Sequence, residues 1–91
     1  MTDAAKYTVK LSDPAEADLK RLDPAAAKRI RTKLRWLAQN AAVTQHLALT
    51  GRWAGFYKLR VGRYRILYRL RHDLRLIRVE LIDQRKQVYR R

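Results

Sequence analysis

The stretch Tyr57–Tyr68 holds four cations, of which Lys58, Arg60 and Arg65 flank the dipeptide Gly62-Arg63. A two-residue loop with Gly first meets the demand of a type II′ hairpin turn. With that loop, Val61 faces Tyr64, Arg60 faces Arg65, Leu59 faces Ile66, Lys58 faces Leu67 and Tyr57 faces Tyr68. Side chains alternate between the faces of a strand, so Lys58, Arg60, Arg65, Leu67 and Arg69 share one face. Tyr57, Leu59, Val61, Tyr64, Ile66 and Tyr68 take the other. Two arginines directly opposed are destabilising by themselves, so Arg60 against Arg65 asks for an anion between or above them. The planar guanidinium fork suits a phosphate.

A second loop at His72-Asp73 extends the pattern. It sets Arg65 against Glu80, Leu67 against Arg78 and Arg69 against Leu76, with Ile77, Val79 and Leu81 completing the core side. Glu80 would then either neutralise the arginine pair or act as a base. The last segment, Asp83-Gln84-Arg85-Lys86-Gln87-Val88-Tyr89-Arg90-Arg91, is basic and carries an aromatic residue. It can bring Arg85 and Tyr89 over the same face, where a tyrosine stacks on a base or donates its hydroxyl to a phosphate. Arg69, Arg78, Lys86 and Arg90 are the accompanying candidate RNA contacts.

The elements that position these groups follow from periodicity. Tyr7, Val9 and Leu11 alternate with polar residues as in a short half-buried strand. Ser12-Asp13-Pro14 supplies a cap and then Pro at the first helical position, and Ala15, Leu19 and Leu22 fall on one helical face. Asp23-Pro24 repeats the start signal, after which Ala26, Ile30, Leu34, Leu37, Ala38 and Ala41 trace a longer stripe to about residue 40. With almost no linker the helices should form a hairpin. From Ala42 to Gly55 the periodicity lapses into a loop, and three strands follow at roughly 56–61, 64–70 and 74–82. Their short turns permit only antiparallel pairing. The expected fold is α+β, in the order βααβββ, with an N-terminal helical hairpin on one face of a small, mainly antiparallel sheet. Trp36, off the helical stripe, and Trp53 are expected as packing anchors, and His46 and His72 as loop and turn residues.

Ninety-one residues fit one domain, here 1–91. With 47% hydrophobic residues the chain is too apolar for a disordered tail. Twenty-two Lys and Arg oppose eight Asp and Glu, giving +14. Self-repulsion penalises that imbalance unless an anionic partner is expected. The second half is the more basic: residues 1–50 carry nine basic and five acidic groups, residues 51–91 thirteen and three. Arg outnumbers Lys fifteen to seven, a bias that bidentate phosphate contacts explain. No cysteine excludes a disulfide framework, a thiolate metal site and a thiol nucleophile, and fits a reducing cytosol. The two histidines are far from any zinc-ligand spacing. The sequence starts without an apolar signal region, and no apolar run approaches the roughly 18 residues of a membrane span, so a cytoplasmic protein is expected.

This pattern resembles the RelE/ParE toxin superfamily, specifically RelE-type mRNA interferases, over nearly the whole chain. The carrying residues are the strand Tyr7-Thr-Val-Lys-Leu-Ser12, the run Asp18-Leu-Lys-Arg-Leu22, and Leu49-Thr-Gly51. Most telling are Tyr57-Lys-Leu-Arg60-Val-Gly62-Arg-Tyr64-Arg65-Ile-Leu-Tyr68 and the terminal Arg85-Lys-Gln-Val-Tyr89-Arg90. The resemblance implies a RelE-like fold and an endoribonuclease that enters the A site of the 70S ribosome and cuts mRNA without metal or cofactor. It also implies a cognate RelB-like antitoxin, acidic and partly disordered. The implied catalytic set falls on Lys58, Arg60, Arg65, Arg85 and Tyr89.

Two positions depart from the family. Arg60 stands where Lys is frequent, and an arginine stays charged, so a base role moves to Lys58 or Tyr89, with Glu80 as rival. Gln84 stands where many members carry His. The gyrase-poisoning ParE branch shares the fold but generally lacks this basic and tyrosine constellation. A non-catalytic RNA- or ribosome-binding protein would account for the charge equally well.

Overall fold

A computed structural model of the protein describes residues 6–84. Strand β1 (Thr8–Leu11) runs into Ser12, whose Oγ accepts the Ala15 N–H at 3.1 Å and so caps helix α1 (Asp13–Arg21). Because Ser12 is the cap, Pro14 occupies the second helical position rather than the first. Asp23 caps α2 (Pro24–Asn40) in the same way, its Oδ1 accepting the Ala26 N–H at 2.8 Å. Each cap satisfies an N–H that the helix cannot pair internally, which explains why a new helix can start with only two residues between it and the last one.

The sheet has five strands in the order β1-β5-β4-β3-β2. Strand β2 (Leu47–Ala48) lies within the expected loop 42–55 and is followed by a 3-10 turn at Gly51–Trp53. Then come β3 (Tyr57–Val61), β4 (Tyr64–Arg71) and β5 (Leu76–Gln84). β1 pairs with β5 in parallel and all other pairs are antiparallel. This α+β architecture has both helices on one face. Ala15 and Leu19 of α1, with Ala26, Ile30, Leu34 and Leu37 of α2, meet Tyr64, Ile66, Tyr68, Ile77, Val79 and Ile82 of the sheet. Among the described residues no helix is long and apolar enough to cross a membrane.

The first hairpin has the expected register throughout, from Val61↔Tyr64 to Tyr57↔Tyr68. Gly62 takes φ +59, the left-handed value required at the first loop position, and Arg63 does not. The second hairpin differs. Its loop is four residues, His72–Arg75, with Arg75 at φ 50, so Arg71 faces Leu76 and Arg69 faces Arg78. A bulge between Leu67 and Tyr68 in the β4–β5 register then inserts Glu80 as an extra residue: Tyr68 faces Val79 and Leu67 faces Leu81. The bulge exchanges the faces beyond it. Hence Ile82, not Leu81, completes the core side, and Asp83, not Glu80, stands opposite Arg65.

Helix α1 also closes an edge. β1 stops at Leu11, opposite Val79, and among the described residues no strand flanks the outer side of β5 beyond that point. There Ser12 Oγ donates to the Glu80 carbonyl at 2.9 Å, and Asp18 Oδ2 accepts the Ile82 N–H at 3.1 Å. Asp18 is buried and also receives Arg21 Nη2 at 2.6 Å. Two side chains of the α1 segment thereby do the work of a missing strand partner.

Trp36 is not a packing anchor. It is 42% exposed on α2, with Lys33 Nζ 4.0 Å from its ring centroid. Trp53 is half-buried and packs edge-on against Phe56 at 5.5 Å. His46 precedes β2 and His72 sits in the β4–β5 turn. The Ala41 carbonyl can only accept, so His46 Nε2 carries the proton toward it at 2.9 Å, and Nδ1 accepts from the Tyr68 hydroxyl at 2.7 Å. His72 Nδ1 and the Tyr7 hydroxyl share a hydrogen bond of 2.5 Å.

Candidate functional site

The sheet face away from the helices gathers the cations. On β3 it carries Lys58 and Arg60, on β4 Arg65, Arg69 and Arg71, and on β5 Arg78, because strand alternation and the two registers place these positions together. Two arginine pairs lie directly opposite one another across strands: Arg60↔Arg65 and Arg69↔Arg78. On β4 the pairs lie four residue steps apart, about 13 Å at the usual strand rise.

The two ends of this face differ in character. Arg65 is 7% exposed and lies between Arg60 on β3 and Asp83, 9% exposed, on β5. Lys58 is half-buried and Arg60 exposed. A row of two arginines and one carboxylate retains net positive charge, so the preference for an anion over this row survives the replacement of Glu80 by Asp83. Glu80 instead accepts Arg78 Nε at 2.9 Å, an ion pair within one strand that holds it at the other end of the face.

At that far end Arg69, Arg71 and Arg78 line a cleft of about 430 Å³ with Gly55, Leu70 and Leu76. The Arg69 guanidinium lies 4.5 Å from the centre of the Phe56 ring. Arg71 forms a two-point ion pair with Asp73, at 3.0 and 2.8 Å, which holds the Asp73 carboxyl below its usual range and raises Arg71 further. Arg71 and Phe56 were not among the candidates from the sequence. Arg71 continues the 65, 67, 69 alternation one step past the expected strand end, so the signal was present. Phe56 has no sequence signal beyond its position before β3.

Of the sequence candidates, Lys58, Arg60, Arg65, Arg69 and Arg78 share the face described. Arg85, Lys86, Tyr89 and Arg90 lie outside the described residues. Among the described residues no group of three or more metal-ligating side chains is placed to hold a metal ion. The arrangement offers cationic and amine chemistry directed at an anion.

The chain matches the profile of the ParE toxin of type II toxin-antitoxin systems (parDE) over residues 9–89. The chain belongs to the ParE toxin family. Within the wider RelE/ParE superfamily its fold is shared by solved toxins. The structure of the toxin-antitoxin complex RelBE2 from Mycobacterium tuberculosis aligns with a TM-score of 0.80 at 26% identity, covering 89% of this chain and 93% of that one. The RelE-RelB complex from Pyrococcus horikoshii OT3 aligns at 0.72 and 23% identity, over 96% and 99%. The isolated Escherichia coli RelE toxin aligns at 0.72 and 16%, over 92% of each. At the identities of the last two, likeness establishes the common fold. No curated protein matches this ParE-family toxin in sequence.

Proposed function

We propose that this toxin is a ribosome-dependent endoribonuclease that cuts mRNA in the A site without a metal or bound cofactor. The observation that carries the reading is the Arg60↔Arg65 opposition with Lys58 two residues along the same sheet face. RNA contains its own nucleophile, the 2′-hydroxyl. Lys58, in its neutral form, takes the proton from that hydroxyl, and the resulting oxygen attacks the adjacent phosphorus. Arg60 and Arg65 hold the non-bridging oxygens, where fixed positive charge is worth most as the phosphorane forms. The bond from phosphorus to the 5′-oxygen then breaks. Arg85 stabilises that leaving oxygen, which takes its proton from solvent, and Tyr89 stacks on or orients the nucleotide at the cut. The strand is left with a 2′,3′-cyclic phosphate and a 5′-hydroxyl.

Such groups are weak acids and bases, so positioning by the ribosome supplies much of the rate and free RNA is a poor substrate. A toxin of this kind works in the cytoplasm and needs restraint by a cognate antitoxin, for which a RelB-like acidic protein is the fitting partner. The test is transcript cleavage on programmed 70S ribosomes by the wild type, Lys58→Ala and Glu80→Ala. Lys58→Ala is expected to lose cutting by about 10²–10³-fold while Glu80→Ala retains it. Unchanged cutting after Lys58→Ala removes the assignment of Lys58.

The ParE profile favours a second reading, a gyrase inhibitor on the same fold. That reading expects DNA breaks with transcripts left whole in cells that express the toxin.

A further inference from the structure

A second basic surface lies on the helix side of the molecule. β2 pairs with β3 at Tyr57 and Lys58, so beyond Lys58 the seam between β3 and α2 has no strand beside it among the described residues. The seam is a groove of about 520 Å³, lined by Lys28, Arg29, Lys33, Trp36, Arg60 and Val61. Among the described residues Lys28, Arg29, Lys33 and Arg60 take part in none of the ion pairs formed, and between Asp23 and Asp73 the sequence contains no Asp or Glu and twelve Lys and Arg. Trp36 keeps 42% of its surface in solvent, with Lys33 Nζ 4.0 Å from the ring centroid. Arg29 reaches over the β3–β4 turn, its Nη2 being 4.0 Å from where a Cβ on Gly62 would stand.

An exposed large aromatic ring within a ring of cations is the composition of a single-strand site, where bases stack and phosphates meet Lys and Arg. An apolar peptide helix is a poor occupant, since it requires anchors at several helical spacings and the groove offers only Trp36 and Val61. We propose that the α2–β3 groove binds single-stranded RNA, with one base stacked on Trp36 and neighbouring phosphates on Lys28, Arg29 and Lys33. Arg60 lines both this groove and the sheet face, so one strand can pass round the free edge of β3 from one to the other. The groove is a binding site in its own right, and its existence does not require that the toxin cut RNA.

The experiment measures fluorescence anisotropy of a labelled oligoadenylate about a dozen nucleotides long, and of the same strand with abasic sugars, against Lys58→Ala protein so that no cutting intervenes. Added to that background are Trp36→Ala, Trp36→Phe and the double change Lys28→Ala/Lys33→Ala. Trp36→Ala is expected to weaken oligoadenylate binding roughly 5- to 100-fold and to erase the preference over the abasic strand, while leaving the salt dependence unchanged. Trp36→Phe keeps a π-face and recovers part of the loss. The double lysine change lowers the log–log salt slope by about 1.4, at about 0.7 per phosphate contact on a single strand. Thermal unfolding followed by circular dichroism checks that each variant is folded.

Equal affinity of the parent for the base-bearing and abasic strands overturns the proposal, as does a folded Trp36→Ala protein that binds oligoadenylate undiminished. A polyglutamate peptide whose binding is lost in Trp36→Ala, while RNA binding is kept, overturns it in favour of an acidic protein partner. Failure of cleavage in the ribosome assay refutes the nuclease reading and leaves these binding results standing.

Discussion

Replacing Arg60 with Gln should make the free toxin more stable while it disables the site. The side chain is exposed and directly opposite Arg65, where Cβ atoms of paired residues are about 5 Å apart. With the guanidinium charges taken at about 6 Å, Coulomb repulsion is about 0.7 kcal/mol in a water-like dielectric and about 3 kcal/mol at an effective value near 20. Asp83, on the other side of Arg65, offsets part of this. The expected net gain on losing Arg60 is about 0.5–1 kcal/mol, a rise of roughly 2–8 °C in Tm for a domain of this size. Gln keeps most of the aliphatic stem, so little packing is lost. Because the gain is electrostatic, it should vanish near about 1 M salt, where the screening length falls to about 3 Å. Transcript cutting on ribosomes should fall by about 10²–10³-fold in the same variant, the usual consequence of removing one preorganised charge. Thermal unfolding at low and high salt, run beside the cleavage assay, reads both quantities. A lower Tm at low salt, or a shift that salt does not affect, would mean that Arg60 supports the fold, and the argument from opposed cations would fail.

Three further outcomes test the scaffold. Burial, and to a lesser degree Tyr57, push the Tyr68 phenol up to about 12. The raised value means its stabilisation is complete below about pH 10 and is lost as pH climbs toward 12, about 2–3 kcal/mol in total. Ultraviolet titration should show a late phenol that disappears in Tyr68→Phe, and a wild-type titration unchanged by Tyr68→Phe near pH 12 would refute this. Asp18→Ala leaves the Ile82 N–H without its acceptor and should cost about 1–3 kcal/mol in urea unfolding, with Asp18→Asn recovering part; a loss below about 0.5 kcal/mol would show that α1 does not secure β5. Gly62→Ala should cost about 1–2 kcal/mol from its left-handed backbone alone, since no atom lies closer than 4.0 Å to the added carbon. Unaltered stability would place the turn in another conformation.

The first hairpin was readable because one Gly at a two-residue loop fixes every pair behind it, from Val61↔Tyr64 to Tyr57↔Tyr68. The second was not. Its four-residue loop turns on Arg75, a residue type with no preference for positive φ, and the alternation Ile77, Val79, Leu81 conceals the bulge at Glu80. Only the doublet Leu81-Ile82 hints at a change of face. Lys58, Arg60 and Arg65 were therefore placed correctly on one face, whereas the carboxylate beside them was misidentified. Strand β2, two residues long, is too short for any period to register. The tail positions Arg85 and Tyr89 lie outside the described residues.

The parallel pairing of Thr8–Leu11 with Leu76–Val79 joins segments far apart in the chain, the second made long after the first. Contacts so far apart in sequence form late and slowly. While a ribosome is still adding residues before position 76, the newborn polypeptide has no partner for its first strand and no β5 to carry Arg78. The cationic face is thus completed only once β5 has been made, after the hairpin that carries Arg60 and Arg65.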